Sequence, residues 1–273
     1  MSALLVIGGL TRRFGGLVAV RDVAMEVEAG SVHGLIGPNG AGKTTLLNLI
    51  SGHIPSSSGR IGFAGGDITR WSVDRRARAG IRRTFQNLKL FRDMTVLENV
   101  MVGMHGETHC EIWRALLRTR TQQAEEAAIA ERAREALDFV GLLSLADTRA
   151  DDLPYGSQRL VEIARATVAR PKLLLLDEPA AGLNGVESRR LVDLIRAIRS
   201  GGTTILLVEH HMDVVMPSCD RITVLNYGQR LANGTPAEIR AHPEVIKAYL
   251  GGGLKRRETR TPKQKAELLH AAS

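Results

Sequence analysis

The chain has 273 residues, is 44% apolar and carries a formal charge of +8, which allows one large domain or two small ones and excludes disorder over its bulk. No apolar run approaches the roughly 20 residues of a membrane helix. Met1 is not followed by a basic segment and a long apolar core, so a soluble cytoplasmic protein without a secretory signal is expected.

The first thirty residues alternate in the manner of strands, and DVAMEVE at 22–28 puts Val23, Met25 and Val27 on one face. VHGLI at 32–36 reads as a short buried strand. TLLNLISG then reads as a helix that packs Leu46, Leu47, Leu49 and Ile50 on a sheet and stops at Gly52. PSSSG at 55–59 reads as a turn and RIGFAGGDI as a hairpin arm. From about Asn87 to Arg170 strand signals vanish. TVLENVMVGM, EIWRALLRT and QQAEEAAIAERAREALDFVGL carry Ala, Leu, Glu and Arg at helical spacing.

Alternation of strand and helix then resumes. LLLLD and TTILLV read as strands, and VESRRLVDLIRAIRS as an amphipathic helix with Leu191, Leu194, Ile195 and Ile198 inward. RITVLNYGQRLANG reads as a hairpin around Asn226–Gln229. The layout is a single α/β domain over 1–253, its core drawn from 1–86 and 171–253 and interrupted by an all-helical insert at about 87–170. Residues 254–273 hold six Lys/Arg against two Glu, so +4 of the total charge lies there. That charge would suit a nucleic acid or an anionic lipid, but a solvated, flexible tail is the plainer reading, and no nucleic-acid partner is expected. Cys110 and Cys219 lie far apart in sequence and read as reduced thiols rather than a metal or redox pair.

Gly37, Pro38, Asn39, Gly40, Ala41, Gly42, Lys43 and Thr44 fit G-x-x-x-x-G-K-[ST] between a strand and a helix. Glycines let backbone N–H groups turn inward around phosphate oxygens, and the helix that opens at Gly42 adds its dipole. Lys43 can reach the β- and γ-phosphates, and the Thr44 hydroxyl can ligate Mg²⁺, with Thr45 next to it. The plain alternative is a Gly-rich turn. The context favours a nucleoside triphosphate, ATP. LLLLDE puts Asp177 at the end of an apolar strand, where a P-loop fold holds magnesium. Glu178 follows it, a carboxylate free to act as a base on water. That pairing favours hydrolysis over nucleotide storage.

LPYGSQRL at 153–160 sets a lone glycine at the start of a helix. With the phosphate loop and the Asp177–Glu178 pair in order, the sequence resembles the ATP-binding-cassette ATPases, whose signature LSGGQ falls at this stretch. The resemblance implies a P-loop core of the ABC ATPase type with an N-terminal antiparallel β subdomain and an inserted all-helical subdomain. It also implies that Tyr155, Gly156, Ser157 and Gln158 serve the ATP of a second subunit, so that two cassettes close head to tail. The family's serine is Pro154 here and its glutamine is Ser157, which leaves the contact to backbone donors and the Ser157 hydroxyl.

Further roles come from the same resemblance. Gln86 matches the glutamine that touches magnesium and the attacking water, which makes Thr44, Gln86 and Asp177 the magnesium set. His210 matches the histidine on the γ-phosphate and joins Glu178 and Gln86 as catalytic. Asn184 stands for the aspartate of the dimer-contact loop, and Phe14 for the aromatic stacked on adenine. RTFQNLKLFRDMTVLENV, LDEPAAGLN, VEHHMDVVM and LANGTPAEIRAHPEVIKAYLG are similar to the ATPase subunits of bacterial branched-chain amino-acid importers. That similarity implies permease subunits, a second cassette (the same or a different chain), an indirect link to a periplasmic solute-binding protein, and a peripheral place on the cytoplasmic face of the inner membrane. The alternatives are the ATPase of a urea, amide or lipopolysaccharide transporter, a soluble cassette protein, or a P-loop kinase.

Overall fold

The computed structural model describes residues 2–86, 88–104 and 120–248. Two twelve-residue strands, β1 (Ala3–Phe14) and β2 (Leu17–Glu28), form a long antiparallel pair. Val23, Met25 and Val27 are buried, while Asp22, Glu26 and Glu28 on the other face are exposed, as the alternation predicts. After β3 (Val32–Ile36) come the phosphate loop and α1 (Lys43–Ser51), which Gly52 ends in the left-handed conformation at φ 84. The strands β4 (Ser58–Phe63) and β5 (Gly66–Asp67) follow, so Ser58 and Gly59 open a strand rather than close the turn read from the sequence. A short helix α2 (Val73–Arg78) leads into β6 (Ile81–Arg83).

Among the described residues, three α-helices come next: α3 (Val96–Met101), α4 (Arg120–Phe139) and α5 (Tyr155–Thr167). Among the described residues of this stretch, the one β feature is an isolated bridge between Thr95 and Arg149. The segment EIWRALLRT and the basic tail lie outside the described residues. The α/β alternation resumes with β7 (Leu173–Asp177), α6 (Gly185–Ser200), β8 (Thr204–Val208) and α7 (Met212–Ser218). It ends with the hairpin β9 (Arg221–Asn226) and β10 (Gln229–Gly234), then α8 (Pro236–Ala241).

The strands form two sheets. One is antiparallel in the order β2-β1-β4-β5, and the other runs β10-β9-β3-β8-β7-β6, parallel except for β10 at its edge. Every residue of β3, β7 and β8 is buried, which explains their unbroken apolar runs: both faces of this sheet are covered. The period-2 pleat divides the runs. Leu173, Leu175, Leu206 and Val208 pack with α1 and the antiparallel sheet. Leu174, Leu176, Ile205 and Leu207 pack with α5, α6 and α7 on the other side. In α6, Leu191, Leu194, Ile195 and Ile198 all face the core as read from the sequence.

Candidate nucleotide site

Four loops leave the carboxyl ends of the parallel strands β3, β6, β7 and β8, and each carries residues singled out in the sequence. They meet at a cleft of about 1010 Å³, lined by residues 37–45 together with Gln86, Glu178 and His210.

The phosphate loop has little room for side chains. A Cβ at Gly42, where φ is 100, would fall 2.6 Å from the Ala19 carbonyl, and one at Gly37 would collide with the Leu225 carbonyl. Gly40 also has positive φ, at 80. Lys43 is only 6% exposed, and its Nζ donates to the carbonyls of Gly37 at 2.7 Å and Pro38 at 3.1 Å. Burial lowers its pKa below the usual lysine value, while Glu178, Asp177 and Glu209 pull the other way. The ammonium is thus held by carbonyls of its own loop.

Glu178 holds a left-handed backbone at φ 49, uncommon for a residue with a side chain and a recurrent feature of reactive sites. Gln86 Nε2 donates to Glu178 Oε2 at 2.8 Å, and His210 Nδ1 lies 3.8 Å from Glu178 Oε1. The three residues read as catalytic are thus brought together. Asp177 is buried, is not among the residues that line the cleft, and accepts from Arg83 Nη2 at 2.8 Å, while Arg83 also donates to Asn48 Oδ1 at 2.6 Å. Thr44, Gln86 and Asp177 offer the hard oxygen donors that suit Mg²⁺. The cradle kept clear by glycines has the shape for a triphosphate, and the donor set suits Mg²⁺ once an Asp177 oxygen is free of Arg83.

The signature stretch lies elsewhere. Residues 155–158 do not line the cleft. Pro154 is the N-cap of α5, at φ −56 and ψ 148, with no side-chain hydrogen bond to the helix. Its carbonyl accepts from Gln158 N–H at 3.0 Å, and Gln158 Nε2 donates to the Leu153 carbonyl at 2.9 Å. Tyr155 is 44% exposed. A Cβ at Gly156 would come within 2.5 Å of Glu187 Oε1, so a larger residue there would push that carboxylate aside. Asn184 caps α6, its Oδ1 accepting from Val186 N–H at 2.9 Å and Glu187 N–H at 3.0 Å. This intrachain work was not read from the sequence.

Phe14 stands apart from the cleft lining, 44% exposed at the end of β1, with the Arg12 guanidinium 4.5 Å from its ring centroid. Leu17, Val18 and the 88% exposed Tyr227 do line the cleft. An exposed aromatic in the tight turn NYGQ was the available signal for Tyr227.

A buried ion pair joins the two regions. Arg159 and Glu162 on α5 are each 1% exposed, with Nη1 to Oε2 at 2.8 Å. Arg159 donates to the carbonyls of Phe85 at 2.9 Å and Gln86 at 3.0 Å, while Glu162 Oε1 accepts from Phe85 N–H at 3.2 Å. Desolvation raises the Glu162 pKa, against the opposing pull of Arg159. The signature helix thus holds the backbone of the glutamine loop from both ends of one ion pair.

These loops on a parallel sheet define a P-loop nucleotide-binding domain of the cassette type. Residues 20–181 match the family model described as ABC transporter. Residues 229–255 match that described as Branched-chain amino acid ATP-binding cassette transporter. The chain belongs to the ABC transporter family, as an ATP-binding subunit. It is 46% identical over 249 residues to the high-affinity branched-chain amino acid transport ATP-binding protein LivG of Salmonella typhimurium, covering 91% of this chain and 98% of that one. It is 45% identical over 249 residues to BraF of Pseudomonas aeruginosa, a protein with the same description and again 91% and 98% covered. Among solved structures, it is similar to an ATP-binding cassette of an ABC transporter in its ADP conformation. That match has a TM-score of 0.79 and 30% identity, over 92% of this chain and all of that one.

Proposed function

We propose that the chain works as one of two cassettes that close head to tail over two ATP molecules, beneath a permease that imports branched-chain amino acids. The reading of the chain as the ATP-hydrolysing subunit of such an importer rests on its family and its relatives. The observation that carries the paired arrangement is spatial. Phosphate loop, base and histidine converge in one cleft, while the glycine-led start of α5 does not line it. A helix N-terminus without a side-chain cap keeps N–H donors free for an anion, and in this arrangement the anion is the partner cassette's γ-phosphate.

Within the cleft, backbone N–H groups from Asn39 to Thr44 hold the phosphates and Lys43 contacts the β- and γ-oxygens. Gln86, already on Glu178, orients the attacking water, and Glu178 takes its proton as the water oxygen bonds to the γ-phosphorus and the bond to ADP breaks. His210 contacts the γ-phosphate. Thr44, Asp177 and Gln86 would hold Mg²⁺, which when bound neutralises charge on the β- and γ-phosphate oxygens.

A groove of about 340 Å³ beside the glutamine loop, lined by Arg82, Phe85, Lys89, Phe91, Glu162 and Arg165, is the seat we assign to a cytoplasmic helix of the permease. No helix among the described residues is long and apolar enough to cross a membrane. We place the chain on the cytoplasmic face of the inner membrane through that docking, with solute selection left to the permease and a periplasmic binding protein. Co-purification from native membranes tests the reading. A permease and a second cassette should come with the chain, and leucine-loaded binding protein should raise ATP turnover. A partner permease for urea, amides or lipopolysaccharide would overturn the solute assignment.

A further inference from the structure

Glu209 follows β8 directly and is fully buried. Among the described residues no lysine or arginine lies within ion-pair distance of it. A carboxylate in such a place is costly unless its oxygens are satisfied by hydrogen bonds. They are. Oε1 accepts from the Ala180 N–H at 2.8 Å. Oε2 accepts from the backbone N–H groups of His210 at 2.7 Å and His211 at 3.0 Å, and lies 3.0 Å from His211 Nδ1, which must donate to it.

These donors come from two different loops. Ala180 sits two residues beyond Glu178, in a turn where Ala181 N–H donates back to the Glu178 carbonyl at 3.1 Å. His210 and His211 open the loop after β8. His210 Nδ1 is 3.8 Å from Glu178 Oε1 and 3.8 Å from Glu209 Oε2, so its ring stands between the two carboxylates. One side chain thus fixes the backbone behind the base and the backbone of the histidine, using one oxygen for each.

We propose that Glu209 is a positioning residue for hydrolysis: it sets the spacing between Glu178 and His210 without touching ATP. The inference rests on the roles proposed above for those two residues. Glu209→Gln keeps the shape but turns an NH₂ group toward N–H donors on one side or the other. Glu209→Asp keeps the charge but is too short to span both loops.

The experiment compares ATP turnover, ATP affinity and backbone amide exchange for these variants in the full chain. Glu209→Gln should lower kcat about tenfold or more with KM for ATP within about threefold, the pattern of a lost transition-state arrangement. Amide exchange at Ala180, His210 and His211 should speed up, and Glu209→Asp should recover part of kcat. Unchanged kcat and unchanged exchange in Glu209→Gln would overturn the proposal. Loss of nucleotide binding along with turnover in both variants would also overturn it, because the residue would then support the fold and not the spacing. Glu178→Gln in parallel keeps the two readings apart: full turnover there would remove the base assignment, whatever Glu209 does to exchange.

Discussion

The phosphate loop and the start of α5 both offer backbone N–H groups to an anion, but they are built differently. At the first, Gly42 caps α1 with no side-chain bond, three glycines have positive φ, and a buried lysine waits in the loop's mouth. At the second, Pro154 caps α5, again with no side-chain bond; Tyr155 is half-exposed and the Glu187 carboxylate lies beside Gly156. By contrast α2, α3, α6 and α8 all have side-chain caps, from Ser72, Thr95, Asn184 and Thr235. The two helix starts proposed to meet phosphate lack a side-chain cap, but so does α7 at His211, so a bare helix start does not by itself make an anion site; at α1 glycines and the lysine join it. The first lies in the cleft with the base and the histidine, and the second is the start proposed to meet a neighbouring cassette's nucleotide.

The sharpest way to break the cleft half of this comparison is Glu178→Gln. ATP should still bind, while turnover falls on the order of a thousandfold, within the range for losing a general base. Release assays with phosphate as product read this directly, and near-normal turnover would show the base to be another residue.

Next in size is the strut between the two regions. Arg159→Met leaves Glu162 buried without its cation, and should cost about 3–5 kcal/mol of stability in urea unfolding. Adding Glu162→Leu should return much of that loss. Turnover in the double variant should stay low, because the glutamine loop has lost its hold.

A third effect belongs to the scaffold under the phosphate loop. His33 on β3 is buried with Nε2 2.8 Å from Thr223 Oγ1, and burial, then Arg221, lowers its pKa to about 4. The unfolded chain binds its proton near pH 6.5, so the folded state loses stability as pH falls from 6.5 toward 4. That loss is on the order of 3 kcal/mol for a shift of this size. His33→Gln should flatten this part of the stability profile, measured by unfolding at several pH values; an unchanged slope would assign it to other groups.

The smallest expected effect sharpens the α5 half. If the Ser157 hydroxyl replaces the missing one at Pro154, Ser157→Ala should slow turnover about fivefold, the worth of one hydrogen bond. Untouched turnover would leave the contact to backbone N–H groups alone.

Contiguous features were legible. The eight-residue phosphate loop, the four leucines before Asp177 and the heptad-like spacing of α6 each carry their meaning within one segment. Two of the short helices were not. α2 has six residues, and its Arg76 reaches across to the carbonyls of Leu49 and Ile50 that end α1. α7 carries Pro217 within seven residues. The residues that organise the site were hidden for the same reason. Arg83 on Asp177, Arg159 on the glutamine loop and Glu209 on Ala180 pair across 94, 73 and 29 residues, distances at which no local pattern exists. Their chemistry is plain once the β6, β7 and β8 ends lie side by side.

The most direct test of the paired arrangement is the mass of the Glu178→Gln chain by light scattering, alone and with the companion cassette from the membrane preparation. ATP and Mg²⁺ should double the particle in at least one mixture, and ADP should return it to single cassettes. A chain that stays single in both mixtures at saturating ATP, while the parent preparation hydrolyses ATP, would contradict the claim that α5 closes a neighbour's site.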